Sequence, residues 1–414
     1  MKVVVTRLFI KCALSLLVVA AIIFATPPAL AQKSRGTQKR RPPAMSAQKQ
    51  AEFKKLSKEA DLARESGRLD DAIVLYNKAL NLKRDWIEGW WYMGAIFYER
   101  GRYVESAEAL KILLSIQEKN GPAWAMLGLC EFQLRNYDQS LADLQYGRSL
   151  GLGNNKALIN VARFHSGLLM TRAGMFELGF DALRDFAREG NESLTVLEAL
   201  GINALRMPLL PSEMPPDRRE VVLLAGRAAH YHAARRVQDA QLAFQELIGR
   251  YPNTPNVHYA YAVFLLIDTP DTALEHFRKE LEISPMHVEA MLQIAFEYIK
   301  RNDYESAKPY AERAVKTAPN QFAAHNALGR VLLGLDQVNE AIRELEIGVK
   351  QAPDSPEMRY ALARAYARAG RREDAARERA KFLELDKQVR SMREGSQSVG
   401  GVEVKPTDKN PPQQ

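Results

Sequence analysis

Trp90-Trp91-Tyr92-Met93-Gly94-Ala95-Ile96-Phe97 and Trp124-Ala125-Met126-Leu127-Gly128-Leu129-Cys130-Glu131 decide the fold of this chain. Both open on tryptophan, both place glycine four residues later, and the tryptophans stand 34 residues apart. Pro285, Pro319 and Pro353 repeat the same interval of 34 further along. A fixed period of this size marks an array of supersecondary units.

Each unit reads as a helical hairpin. With the tryptophan placed at position 4 and the proline at 32, positions 4, 7, 8 and 11 fall at the i, i+3, i+4, i+7 spacing of one apolar helix face. Positions 20, 24 and 27 form a second such face. Glycine or alanine at 8 and alanine at 20 allow close helix approach. Glu65-Ser66-Gly67-Arg68 has the composition of a turn. Proline at 32 ends the second helix, because it has no amide hydrogen and its ring clashes with the preceding turn. One hairpin cannot bury its stripe alone, so neighbours must stack.

The phrase Trp-x-x-Leu-Gly-x-x-Tyr, Ala-x-x-x-Phe and Pro resembles the tetratricopeptide (TPR) pattern, in about nine units over residues 53 to 389. The resemblance implies an all-α, right-handed TPR α-solenoid of helix-turn-helix repeats. It also implies that ligands meet positions 2, 5, 6, 9, 12 and 13 of the first helix. Carried over, these give an apolar groove set, Trp91, Tyr92, Tyr98, Met126, Leu129 and Phe132, and a later set, Phe296, Arg330, Tyr360, Arg364 and Arg368, joined by Asn326 and Lys300. Apolar groups outside the core stripe serve either as recognition anchors or as packing against the next repeat. The arginines suit carboxylates or phosphates, or are simply solvated. The lysine and asparagine clamp of chaperone-binding TPR domains is not matched in the first three units, where position 5 is Ser57, Trp91 and Ala125.

Around the repeats, the chain divides by composition. Residues 1–31 have the parts of a signal peptide: Lys2, Arg7 and Lys11, then an apolar run of 14 from Cys12 to Ala25, then Ala29-Leu30-Ala31. The run is shorter than the roughly 20 residues that span a bilayer. Cleavage and export to a bacterial periplasm or beyond follow as the expectation, with an uncleaved leader as the only route to membrane contact. Residues 32–49 read as a basic flexible linker, 50–190 as a first TPR array, and 191–218 as an irregular helix and proline-rich connector. Pro208, Pro211, Pro215 and Pro216 mark either a joint between two sub-arrays or a loop over one face. Residues 219–390 read as a second array and 391–414 as a disordered tail.

Lys and Arg number 58 against 50 Asp and Glu, a net charge of +8 that falls to +5 without the leader's three cations. So mild an excess, spread over a repeat surface, bears on solubility more than on nucleic acid, which is not an expected partner. Cys130 is the one cysteine after the leader, so no internal disulfide is available. Gly147-Arg148-Ser149-Leu150-Gly151 spells a nucleophile elbow without the strand that must precede it. His230 and His232 lie two apart on a helix, and so on different faces. No catalytic residue, metal ligand or cofactor is expected. The reading is a scaffold that docks a protein or peptide segment in its concave groove. The alternative is an envelope glycan or peptidoglycan held by the basic C-terminal repeats and linker.

Overall fold

The computed structural model describes residues 45–398, so the expected leader and most of the basic linker lie outside the described residues. Nineteen α-helices and two short 3-10 turns account for the regular structure, with no strand among the described residues. The chain forms two compact units, Met1–Pro252 and Asn253–Gln414.

In the first unit, helices pair in sequence. They are α1 (Ala47–Glu65), α2 (Leu69–Leu82), α3 (Ile87–Glu99), α4 (Tyr103–Ile116), α5 (Gly121–Gln133), α6 (Tyr137–Leu150), α7 (Lys156–Arg172), α8 (Phe176–Arg188), α9 (Leu194–Ala204), α10 (Arg219–Ala233) and α11 (Val237–Arg250). The second unit holds α12 (Val257–Leu265), α13 (Pro270–Ile283), α14 (Val288–Lys300), α15 (Tyr304–Thr317), α16 (Phe322–Gly334), α17 (Val338–Gln351), α18 (Pro356–Arg368) and α19 (Arg372–Ser398). Within each unit successive helices pack on one another, and first helices of adjacent hairpins also touch, as α3 with α5, α5 with α7 and α14 with α16. This is the nearest-neighbour stacking of an α-solenoid.

The hairpin turn is one device used throughout. Its fifteenth position adopts a left-handed backbone at Gly67, Gly101 and Arg135, and again at Asn302, Asp336 and Gly370. The next residue's amide donates back to the last turn of the first helix, as Arg102 N to Phe97 O at 2.9 Å and Asn136 N to Glu131 O at 2.8 Å. That pattern satisfies helix-terminal carbonyls which would otherwise be orphaned.

Glycine at position 8 seats a leucine of the second helix. A Cβ on Gly128 would stand 2.8 Å from Leu144 Cγ, and one on Gly329 2.5 Å from Leu345 Cγ. A buried serine ties the pair at the same place: Ser106 Oγ donates to Gly94 O at 2.7 Å and Ser140 Oγ to Gly128 O at 2.5 Å. Cys130 is fully buried and its thiol donates to Ser106 Oγ at 3.1 Å. Burial pushes that thiol up to about 12, so it stays protonated and packs as a small hydrophobe.

Residues 191–218 hold a helix, α9, and then the proline-rich turns; the units divide at Pro252/Asn253, and α9 packs broadly on α10. The reason is a glycine crossing: a Cβ on Gly201 would stand 1.9 Å from Val222 O, and one on Gly226 1.9 Å from Leu197 O. The prolines form only the two 3-10 turns between these helices, where Leu210 is buried. The tail was expected to lose structure from 391, but α19 continues to Ser398. Its Arg, Glu, Ala and Lys composition favours helix, and Glu378 anchors it to α18 through Arg359 at 2.8 Å.

Candidate functional site: a cationic cleft in the second unit

The later groove set converges. α14 presents Phe296 and Lys300, α16 presents Asn326 and Arg330, and α18 presents Tyr360, Arg364 and Arg368, all lining one cleft of about 830 Å³ closed by Phe382 and Asp386 of α19. The geometry follows from the period. Phe296, Arg330 and Arg364 stand 34 apart on three consecutive first helices, and Asn326 and Tyr360 each lie one turn earlier on the same face.

Four cations (Lys300, Arg330, Arg364, Arg368) and two carboxylates (Glu357, Asp386) line the cleft, a formal excess of 4 − 2 = +2. They are not equivalent. Arg368 pairs with Asp336 at 3.0 Å and donates to Leu333 O at 3.1 Å; Lys300 pairs with Glu297 at 3.3 Å; Asp386 pairs with Arg390 at 2.8 Å. Arg330 and Arg364 have no carboxylate within 4.0 Å among the described residues. Arg330 is partly buried; desolvation first, and the Arg364 charge second, hold its guanidinium below the ordinary arginine value. Arginine nevertheless stays charged at any physiological pH. Its guanidinium lies 5.7 Å from the Phe296 ring centroid, and that of Arg364 lies 6.0 Å from Tyr360. Tyr360 rests on Phe382 at 5.3 Å while remaining about half exposed (51%). Asn326 is buried, and its Oδ1 has no hydrogen-bond partner. The arrangement is two uncompensated forks on an aromatic floor, suited to a carboxylate-bearing or phosphate-bearing chain.

The apolar groove set fares differently. Tyr98, Met126, Leu129 and Phe132 are buried at 5%, 3%, 2% and 9% exposure inside the first unit's core. Phe132 contacts Tyr137 at 5.5 Å and His165 at 5.0 Å. Trp91 packs partly buried against the same cluster. Tyr92 stacks on Tyr76 at 5.8 Å, under the guanidinium of Arg64 at 4.1 Å. These side chains therefore pack against neighbouring helices of the first unit, and the four buried ones present little surface to a ligand.

Other sequence features resolve as packing. Gly147 and Gly151 lie where α5 meets the end of α6: a Cβ on Gly147 would stand 2.8 Å from Ala125 N, and one on Gly121 2.0 Å from Gly151 O. Ser149 Oγ donates to Tyr146 O at 2.8 Å. The fold joins two histidines that stand 18 residues apart: His258 Nδ1 and His276 Nδ1 lie 2.8 Å from each other, with rings stacked at 5.1 Å. No group of three or more potential metal ligands occurs among the described residues, and no described helix is long and apolar enough to cross a membrane.

Comparison with known proteins places these hairpins. Solved structures of MamA are similar: MamA from Desulfovibrio magneticus RS-1 (residues 41 to the end) at 22% identity, covering 41% of this chain and 96% of that one with a TM-score of 0.38, and MamA AMB-1 at 21%, covering 40% and 98% with a TM-score of 0.36. No curated protein matches. Residues 60–101 match the model of the TPR repeat, and residues 217–386 match the middle TPR-like domain of cilia and flagella-associated protein 70. With hairpins of the expected period in both units, the described residues form an all-α solenoid whose matched segments, 60–101 and 217–386, are of the tetratricopeptide-repeat type.

Proposed function

We propose that this protein is an exported scaffold of a bacterial cell envelope that docks an acidic segment of a partner protein in the second unit's cleft. The observation that carries the docking is the pair Arg330 and Arg364, charged, adjacent and without acidic partners among the described residues. Two neighbouring guanidinium groups repel each other, and an anionic ligand between them would relieve that repulsion. A peptide carboxylate accepts a bidentate fork from either. Tyr360 and Phe382 supply the apolar contact that gives such a dock affinity beyond charge. The export reading rests on the sequence of residues 1–31.

An acidic glycan offers the same charge, so the test separates the two. Protein lacking residues 1–31 is immobilised and exposed to envelope extract beside an Arg330→Ala/Arg364→Ala variant of equal helicity. The proposal expects a captured protein that the variant loses. Capture that survives protease treatment of the extract transfers the site to glycan. Equal capture by both forms sinks the cleft. Localisation is read separately: N-terminal sequencing of the envelope form is expected to begin at Gln32, and an intact Met1 start would overturn cleavage.

A further inference from the structure

A second notch lies in the first unit, on the opposite elements of the hairpins. It is formed between α4, α5 and α6, with a volume of about 510 Å³. Asp143 of α6 is only 2% exposed. Its Oδ1 accepts from Gln139 Nε2 at 2.7 Å, while its Oδ2 has no hydrogen-bond partner. Glu131 of α5 also lines the notch, with both oxygens engaged: Lys111 Nζ donates to one at 2.8 Å and Asn136 Nδ2 to the other at 2.7 Å. The lining therefore holds Asp143, Glu131 and Lys111, formal charges summing to −1 − 1 + 1 = −1. Ionised, Asp143 wants one more donor; protonated, it wants an acceptor that its own oxygen lacks. A buried carboxyl oxygen left so is costly in either state. Leu114, Leu127 and Trp124 make the walls apolar.

We propose that this notch receives the ammonium of a lysine side chain from a partner protein, with Asp143 Oδ2 as the principal acceptor. One positive charge brings the lining to neutrality. An ammonium has three donors, and the Ser115 and Gln139 oxygens in the lining offer further acceptors. The four methylenes of lysine suit walls of leucine and tryptophan. The site is separate from the cleft in the second unit, and the second helices α4 and α6 contribute five of its eight lining residues.

The test uses the full chain with 13C-methyl leucine, and Nα-acetyl-lysine methylamide as the probe. A saturable shift of the Leu114 and Leu127 methyl resonances is expected, lost in Asp143→Asn. In Lys111→Met, where Glu131 keeps Asn136 and the competing cation is gone, half-saturation should fall several-fold. The proposal is overturned if no saturable shift occurs, if Nα-acetyl-norleucine methylamide or potassium chloride of equal ionic strength produces the same shift, or if Asp143→Asn leaves it intact. Should Asp143→Asn fail to fold, an unchanged or weakened response in Lys111→Met overturns it instead.

Discussion

At the scale of the residue, burial decides what each polar or aromatic group does. Phe132→Ala should lower stability by about 3 kcal/mol, the usual cost of emptying a large core site, and should change partner capture only as far as helicity is lost. Thermal unfolding beside the capture assay checks this. Charge burial gives a second, signed expectation. Desolvation lifts Asp143 to about 6, with Gln139 opposing and Glu131 adding to the rise. A carboxyl raised on folding contributes stability that is present below its unfolded value near 3.8 and lost as pH rises through about 6. Asp143→Asn should therefore gain about 2 kcal/mol over the native chain at pH 7.5, and nothing at pH 4. His165, held down to about 4 by burial, and His276, held down to about 4 by burial and the His258 charge, act the other way. Their contribution is lost as pH falls from 6.5 toward 4. Denaturant midpoints between pH 4 and 8 should show Asp143→Asn with a steeper acid-side loss than the native chain; parallel curves would contradict the Asp143 assignment.

At the scale of the element, the turn and the glycine seat explain why the period is legible. A left-handed residue at the hairpin turn, recurring at 34 from Gly67 to Arg135 and from Asn302 to Gly370, and a small residue at position 8 are demands of the hairpin itself, so they repeat in the letters. What the letters conceal is which first-helix side chains remain available. A first-helix side chain can reach the neighbouring first helix, as Phe132 reaches His165. Large groups such as Met126 and Phe132 are absorbed by that neighbour, whereas Arg330 and Arg364 stand beside Phe296 and Tyr360 with their forks unspent. The sequence also hid the pairing of α9 with α10, because four nearby prolines look like a break while two glycines 25 residues apart make the crossing. Three substitutions test these elements. Arg135→Gly should raise stability by up to about 1 kcal/mol, since a side chain in the left-handed region costs that much or more, and Gly101→Arg should lower it comparably. Gly201→Ala meets backbone, which cannot swing aside, and should cost more than about 3 kcal/mol. A chain that tolerates it unchanged would refute the crossing.

At the scale of the whole molecule, the two units divide the work. The first unit buries Tyr98 and Phe132 in its core and holds an acidic notch between α4, α5 and α6. The second unit brings two arginines without acidic partners among the described residues, Arg330 and Arg364, into one cleft. Neither the +8 net charge nor the charge of any one repeat reveals this, because many cations are neutralised locally, as Arg359 is by Glu378 and Arg301 by Glu297 and Asp271. The central claim is that the cleft selects acidic chains through Arg330 and Arg364. It is tested most directly by fluorescence anisotropy of a labelled oligoglutamate peptide carrying one tyrosine, titrated with native protein and with Arg330→Glu/Arg364→Glu at two salt concentrations. The account predicts saturable binding to the native chain that weakens with salt, at least a tenfold loss in the charge-reversed variant, and a gain there for the matching oligolysine peptide. Equal binding of oligoglutamate by both proteins would contradict it.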